Sequence, residues 1–206
     1  MPNIVSDIAF TTAVKAAQKR RGSRENYARM EQRGGWQHEV TPELEAFIGE
    51  RDSFYLGTAN KEGQPYIQHR GGPKGFLKVI EKNTLGFADF VGNAQYISVG
   101  NLDENNKVFI FLMDYPNRRR IKIWGTSEVV EGDDDLLSML TDDGYQGKPQ
   151  RSFLVHLKAW DANCPQHILP RWTKDELGPT IDSLTLRVQE LERENQRLRS
   201  QSNMKE

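Results

Sequence analysis

Four polar clusters in this 206-residue chain have residue types and spacing that could serve a ligand. In Gln68-His69-Arg70-Gly71-Gly72-Pro73-Lys74-Gly75, two cations and three glycines sit together. Glycines let backbone N–H groups approach an anion closely, and arginine can clamp a phosphate with two donors. The stretch is not a nucleotide-binding loop of the Gly-Lys-Ser/Thr type, and a sharp turn with solvated charges explains it as well. The second cluster runs from Asp89 through Gly92, Asn93 and Gln95 to Asn101. A glycine-asparagine turn opening a short helix would aim N–H groups at an anion, although ordinary turn chemistry accounts for it equally.

The third cluster is Asn117-Arg118-Arg119-Arg120. Alternate residues of a strand face opposite sides, so these arginines cannot all reach one ligand. The fourth runs from Trp160 through Cys164, His167 and Arg171 to Trp172. One cysteine and four scattered histidines (His38, His69, His156 and His167) make no zinc spacing, and no nucleophile motif surrounds Cys164.

The composition narrows the classes. With 28 basic and 29 acidic side chains, net charge −1, the chain has no global field to draw in nucleic acid or an anionic membrane. No nucleic-acid-binding signature accompanies the arginine run. No apolar run approaches the roughly 20 residues that span a bilayer. The first residues lack a basic segment followed by an apolar one, and the single cysteine precludes an internal disulfide. The expectation is a cytoplasmic protein without nucleic-acid or membrane partners.

Several elements must position these clusters. Residues 6–32 are polar and helix-compatible, with Ile8, Val14, Tyr27 and Met30 as apolar anchors, and Gly34-Gly35 ends them. Thr41 and Pro42 open a second helix whose Leu44, Phe47 and Ile48 form one stripe. Residues 53–59 and 64–70 read as a hairpin around the turn 60–63. Residues 76–80 and 84–90 read as two more strands, 96–102 as a short helix, and 107–113, 120–130 and 151–160 as further strands. Asp133-Asp134-Asp135 suits the positive end of a helix over Leu136 to Leu140. Strands without regular βαβ alternation predict a mainly β, antiparallel barrel or sandwich with flanking helices. The implied organisation is a helical extension (1–50), a central domain (51–172) and a C-terminal helix (173–206).

That last helix carries heptads. Leu177, Ile181, Leu184, Val188, Leu191, Asn195 and Leu198 are spaced alternately by four and three, the a/d pattern of a coiled coil. Ile181 and Val188 fall at a, with leucines at d. In a parallel dimer Arg187 would face Glu192, and Glu194 would face Arg199, of the other chain. A single helix packed on its own domain is the alternative.

The succession Gly63-Gln64-Pro65-Tyr66, a cation-bearing strand end, Leu85-Gly86-Phe87-Ala88-Asp89-Phe90, Gly92-Asn93-Ala94-Gln95, Asn101-Leu102 and Arg119-Arg120-Ile121-Lys122-Ile123-Trp124-Gly125 resembles the FMN-binding split barrel of the pyridoxamine 5'-phosphate oxidase family. The resemblance extends from Ser53 to Trp160, and the loop around Cys164 looks like that of a bacterial branch of the family. It implies FMN bound at the interface of a homodimer. Gln68, His69, Arg70 and Gly71 would line the flavin, with Asp89, Asn93 and Gln95 near the phosphate turn. Arg120 would contact the ring system, next to Arg119. Ala94-Gln95 stands where the family's phosphate turn commonly carries Arg-Lys or Arg, leaving Arg70 or Arg119 to supply the charge.

The implied activity is FMN-dependent oxidation or reduction of a small molecule, with Lys74, His167, Arg171 and Trp172 as substrate contacts. Two other readings stay open. One is a flavin-binding or redox-sensing module without turnover. The other is a haem-binding split-barrel relative with His69 or His167 on iron.

Overall fold

The computed structural model describes residues 4–163 and 165–203. A short 3-10 turn (Val5–Ile8) precedes helices α1 (Thr12–Arg20) and α2 (Arg24–Gln32). Gly22, at φ +74°, breaks what the polar pattern left continuous, because the left-handed region disfavours any residue with a Cβ. The anchors also differ from expectation: Ile8, Val14 and Tyr27 are exposed. Phe10 and Trp36 hold the extension instead. Phe10 packs on Tyr27 and Trp36 at centroid distances of 5.1 and 5.0 Å, and Trp36 stacks on Trp124 at 4.5 Å.

Helix α3 (Pro42–Gly49) starts as its sequence predicts, with the Thr41 hydroxyl accepting the Leu44 N–H at 3.3 Å and Pro42 where no N–H is needed. Its stripe of Leu44, Phe47 and Ile48 is buried in the same core as the sheet. The core therefore begins ahead of residue 51.

Seven strands follow: β1 (Ser53–Ala59), β2 (Pro65–Gly71), β3 (Lys78–Glu81), β4 (Thr84–Phe90), β5 (Lys107–Asp114), β6 (Arg119–Val130) and β7 (Pro149–Asn163). They form one antiparallel sheet in the order β2-β1-β5-β6-β7-β4-β3. The alternation in β5 and β6 decides which face is buried. Val108, Ile110, Leu112, Ile121 and Ile123 point into the core, while Phe109, Phe111, Met113, Lys122 and Trp124 point out. Inner side chains from both ends of the sheet, among them Phe54, Leu56, Phe87 and Phe153, meet in that core. The sheet thus curls round its core without closing, which makes it a split barrel: its edge strands β2 and β3 are not paired with each other, and Arg70 on β2 reaches Asp89 near the end of β4 across the gap.

Helix α4 (Ile97–Glu104) packs near β1, β2 and β6. Helix α5 (Asp134–Leu140) is capped by the Asp133 carboxylate, which accepts the Leu136 N–H at 2.9 Å. Helix α6 (Lys174–Asn203) carries Pro179 in its second turn and is exposed over nearly all of its length. None of the described helices is long and apolar enough to cross a membrane.

Candidate functional site

The split in the barrel opens a cleft of about 300 Å³. Gln68 and Arg70 reach it from β2, Asp89 from the end of β4, and Asn93 and Gln95 from the loop that leads into α4. Alternation explains the selection on β2: Gln68 and Arg70 pair with the core residues Leu56 and Phe54, so both face inward. His69 pairs with Tyr55 and faces outward, where its ring meets the Tyr55 edge at 5.6 Å. Gly71, the last residue of β2, pairs with Ser53.

The cleft is electrostatically built. The Arg70 guanidinium forms an ion pair with Asp89 and lies over the Phe153 ring at 5.1 Å. Arg151 on β7 pairs in register with Asp89 and places Nε 3.5 Å from the other carboxylate oxygen. It also bonds exposed Glu131 at 2.8 Å and lies over the Tyr96 ring at 5.0 Å. One buried carboxylate thus joins two buried guanidinium groups. The Arg70 Nε–H is buried with no hydrogen-bond partner in the protein. A buried donor in that state costs about 1–3 kcal/mol unless a ligand or water accepts from it.

The loop between β4 and α4 forms the far wall. Ala94 and Tyr96 adopt φ of +56° and +52°, conformations that residues with a Cβ seldom hold. Asn93 Oδ1 accepts the Gln95 N–H at 3.3 Å, which stiffens the turn. Tyr96 occupies the N-cap of α4 with no side-chain capping bond, and Ser98 in the first turn donates to Gln68 at 2.9 Å. Sequence reasoning missed Arg151 and Tyr96. Tyr96 lies within the second polar cluster but carries no charge or amide to single it out, and Arg151 belongs to no cluster, since the Asp89–Arg151 register joins segments some sixty residues apart.

Arg120 lies elsewhere. It borders a hollow of about 900 Å³ on the outer face of the sheet, beside Tyr55, Ile67, Phe109, Phe111 and Trp124. Its Nε–H is likewise buried without a partner. Arg119, the next residue along the strand, points the other way, bonding Glu43 at 3.1 Å and covering the Phe47 ring at 5.2 Å. Of the expected flavin contacts, one chain therefore brings Gln68, Arg70, Asp89, Asn93 and Gln95 together and leaves His69, Gly71, Arg119 and Arg120 outside that cleft.

Three of the four expected substrate contacts do meet. Lys74, Arg171 and Trp172 border a third cleft, of about 770 Å³, between the start of β1, the β5–β6 turn and the start of α6. Arg171 lies over the Tyr115 ring at 4.8 Å, and Lys74 Nζ is 3.9 Å from exposed Glu50. His167 is exposed on the turn before Ile168, at φ +62°, and borders none of these three clefts. Cys164 lies outside the described residues. Among the described residues, no three His, Cys, Asp or Glu side chains cluster to hold a metal.

Comparison with known proteins agrees with this architecture. Residues 40–161 match the family model for pyridoxamine 5'-phosphate oxidase, a span that starts just ahead of α3 and ends within β7. Among curated proteins no sequence matches the chain. A HupZ variant from Group A Streptococcus is 17% identical and superposes with a TM-score of 0.50, covering 60% of this chain and 99% of its own. A putative pyridoxamine 5'-phosphate oxidase from Lactobacillus delbrueckii is 17% identical at a TM-score of 0.48, covering 61% and 95%. An FMN-binding protein from Syntrophomonas wolfei is 13% identical at 0.47, covering 71% and 97%. At 17% identity the HupZ structure speaks to the fold alone, whereas the family model spans more than half of the sequence. With the split seven-stranded sheet, that match makes this chain a member of the pyridoxamine 5'-phosphate oxidase family.

Proposed function

We propose that the chain binds FMN between two copies of itself and acts as an FMN-dependent oxidoreductase on a small molecule. The observation that carries the reading is the Arg70 guanidinium at the split, fixed by Asp89 and two aromatic rings with its Nε–H unmatched. The residues present suit the phosphate end of FMN: a rigid cation, the amides of Gln68, Asn93 and Gln95, and a strained turn leading into a helix N-terminus. Ala94-Gln95 carries no charge there, so Arg70 is the cation on which phosphate binding depends, with Arg151 behind it.

The location of Arg120 supports an interface site. A flavin that reached both the cleft and Arg120 within one chain would have to wrap round the β2 edge, because they lie on opposite faces of the sheet. Two chains joined over the apolar outer hollow supply the second face directly. That hollow exposes Ile67 and Tyr55, an apolar patch of the kind that marks an interface.

When bound, the isoalloxazine supplies the redox chemistry, and the protein orients it and sets its electrostatics. Arg120 would set a fixed positive charge beside the ring, and its surrounding aromatics would exclude water. Lys74, Arg171 and Trp172 would receive the substrate, two cations and an indole favouring an anionic or aromatic molecule.

The test is the absorption spectrum of the purified protein and its titration with FMN, followed by reduction of the bound flavin with NAD(P)H. Flavin bands and reduction support the enzyme reading. Flavin bands without reduction by any donor would leave a binding module, and an intense Soret band would replace flavin by haem. A protein that takes up neither chromophore overturns the proposal.

A further inference from the structure

Helix α6 runs for 30 residues and leaves an apolar seam exposed along its length. Leu177, Ile181, Leu184, Val188, Leu191 and Leu198 follow one another at heptad spacing, and each is 39–61% exposed. A stripe of this width on an otherwise charged helix is left in water only at the cost of its burial energy. We infer that it is covered by α6 of a second copy of this chain, in a parallel two-stranded coiled coil.

Charge complementarity selects that occupant. In a parallel pair each g residue faces the e residue five positions on in the other chain. Arg187 then meets Glu192 of the second copy, and Glu194 meets Arg199 of the second copy, each contact occurring twice by symmetry. Within its own helix Arg187 bonds Glu190 at 3.1 Å, an exposed pair too weak to compete.

Asn195 selects the direction. At position a, a parallel dimer sets Asn195 against Asn195, and the two amides satisfy one another. In an antiparallel dimer an a residue faces a d residue, so Asn195 would meet Leu184 or Leu177 and lose its hydrogen bonds.

The origin of the helix agrees. Asp175 and Glu176, in its first turn, border the same cleft as Tyr55, Met113 and Tyr115, which also border the outer hollow. A twofold axis through that hollow, the interface proposed above, brings both helix starts to one side. Antiparallel pairing would need them about 45 Å apart, the length of such a helix. The pairing itself rests on the heptads and stands without the flavin reading.

The test uses the full chain with Cys164→Ser and a single new cysteine, Leu198→Cys. Mild oxidation is expected to give a disulfide-linked dimer on a non-reducing gel. Glu194→Arg in that background should reduce the linked fraction at limiting concentration, on the order of fivefold, and Arg199→Glu added to it should restore it. Adding Ile67→Asp, which spoils the barrel face but not the helix, should leave the cross-link in place and so separates the two interfaces. The inference is overturned by no cross-link at 198. It is equally overturned by no rescue from the paired charge swap, or by cross-linking only between Ile181→Cys and Leu198→Cys chains in a mixture, the antiparallel signature.

Discussion

Arg70 on edge strand β2 and Asp89 near the end of β4 are joined by an ion pair across the gap that the open sheet leaves. The pair closes the mouth of the barrel with side chains where the backbone leaves it open. It also holds a guanidinium in a fixed orientation under the loop of residues 92–96. Arg151, in register with Asp89 on β7, braces the same carboxylate from the other side.

Arg70→Ala should therefore weaken FMN binding. A charge-assisted hydrogen bond is worth about 1.5–3 kcal/mol, which corresponds to roughly a 10- to 150-fold rise in Kd. Fluorescence titration measures it, and unchanged affinity would remove Arg70 from the site.

Asp89→Asn separates structural from ligand roles. It takes the carboxylate from Arg70 and leaves Arg151 with Glu131 alone, and a largely buried guanidinium stripped of its ion-pair partner costs about 3–5 kcal/mol in the ligand-free protein. It also removes a negative charge from beside the expected phosphate. Thermal unfolding should show a large fall in Tm without FMN and a greater rise on adding it than in the wild type. An equal FMN-induced shift in both proteins would mean that no anion sits near Asp89.

The outer hollow makes a separate prediction about assembly. Ile67 is 69% exposed in one chain, so Ile67→Asp should spare the fold. In a chain ending at Trp172, which lacks α6, the same change should convert a dimer to a monomer in sedimentation velocity. Monomers before the change would place the dimer contact in α6 alone.

Two glycines test the packing. A Cβ on Gly125 would lie 2.5 Å from the His156 carbonyl oxygen, at the bulge between β6 and β7. Gly125→Ala should lower the urea midpoint by an amount equivalent to about 1–3 kcal/mol. Gly100, within α4, has open space around its Cβ position, so Gly100→Ala should stabilise by about 0.5–1 kcal/mol. Equal effects of the two substitutions would contradict the β6–β7 register.

Much of this architecture is local and was legible in the residues. Thr41-Pro42 and Asp133 start helices because capping needs only a side chain and the next turn of backbone. The hairpin of β1 and β2 follows from alternation and the turn at residues 60–63, and its expected strands match within a residue. The heptads of α6 were plain for the same reason, since each seam residue is related to the next by helical geometry alone. FMN entered through family resemblance, carried by short motifs rather than by periodicity.

Tertiary structure decided what the polar clusters become. Gln68, His69 and Arg70 are neighbours in the chain, yet strand alternation sends His69 to the face opposite the other two. Arg119 and Arg120 divide in the same way, one toward Glu43 and one into the apolar hollow. Arg151 gained its place only when β4 and β7 paired, because long-range register is set by burial of one face over the whole sheet and not by neighbours in sequence. The residues determined which strands, caps and seam could form; the curling of the open sheet around Phe87 and Phe153 determined which charges would meet at its split.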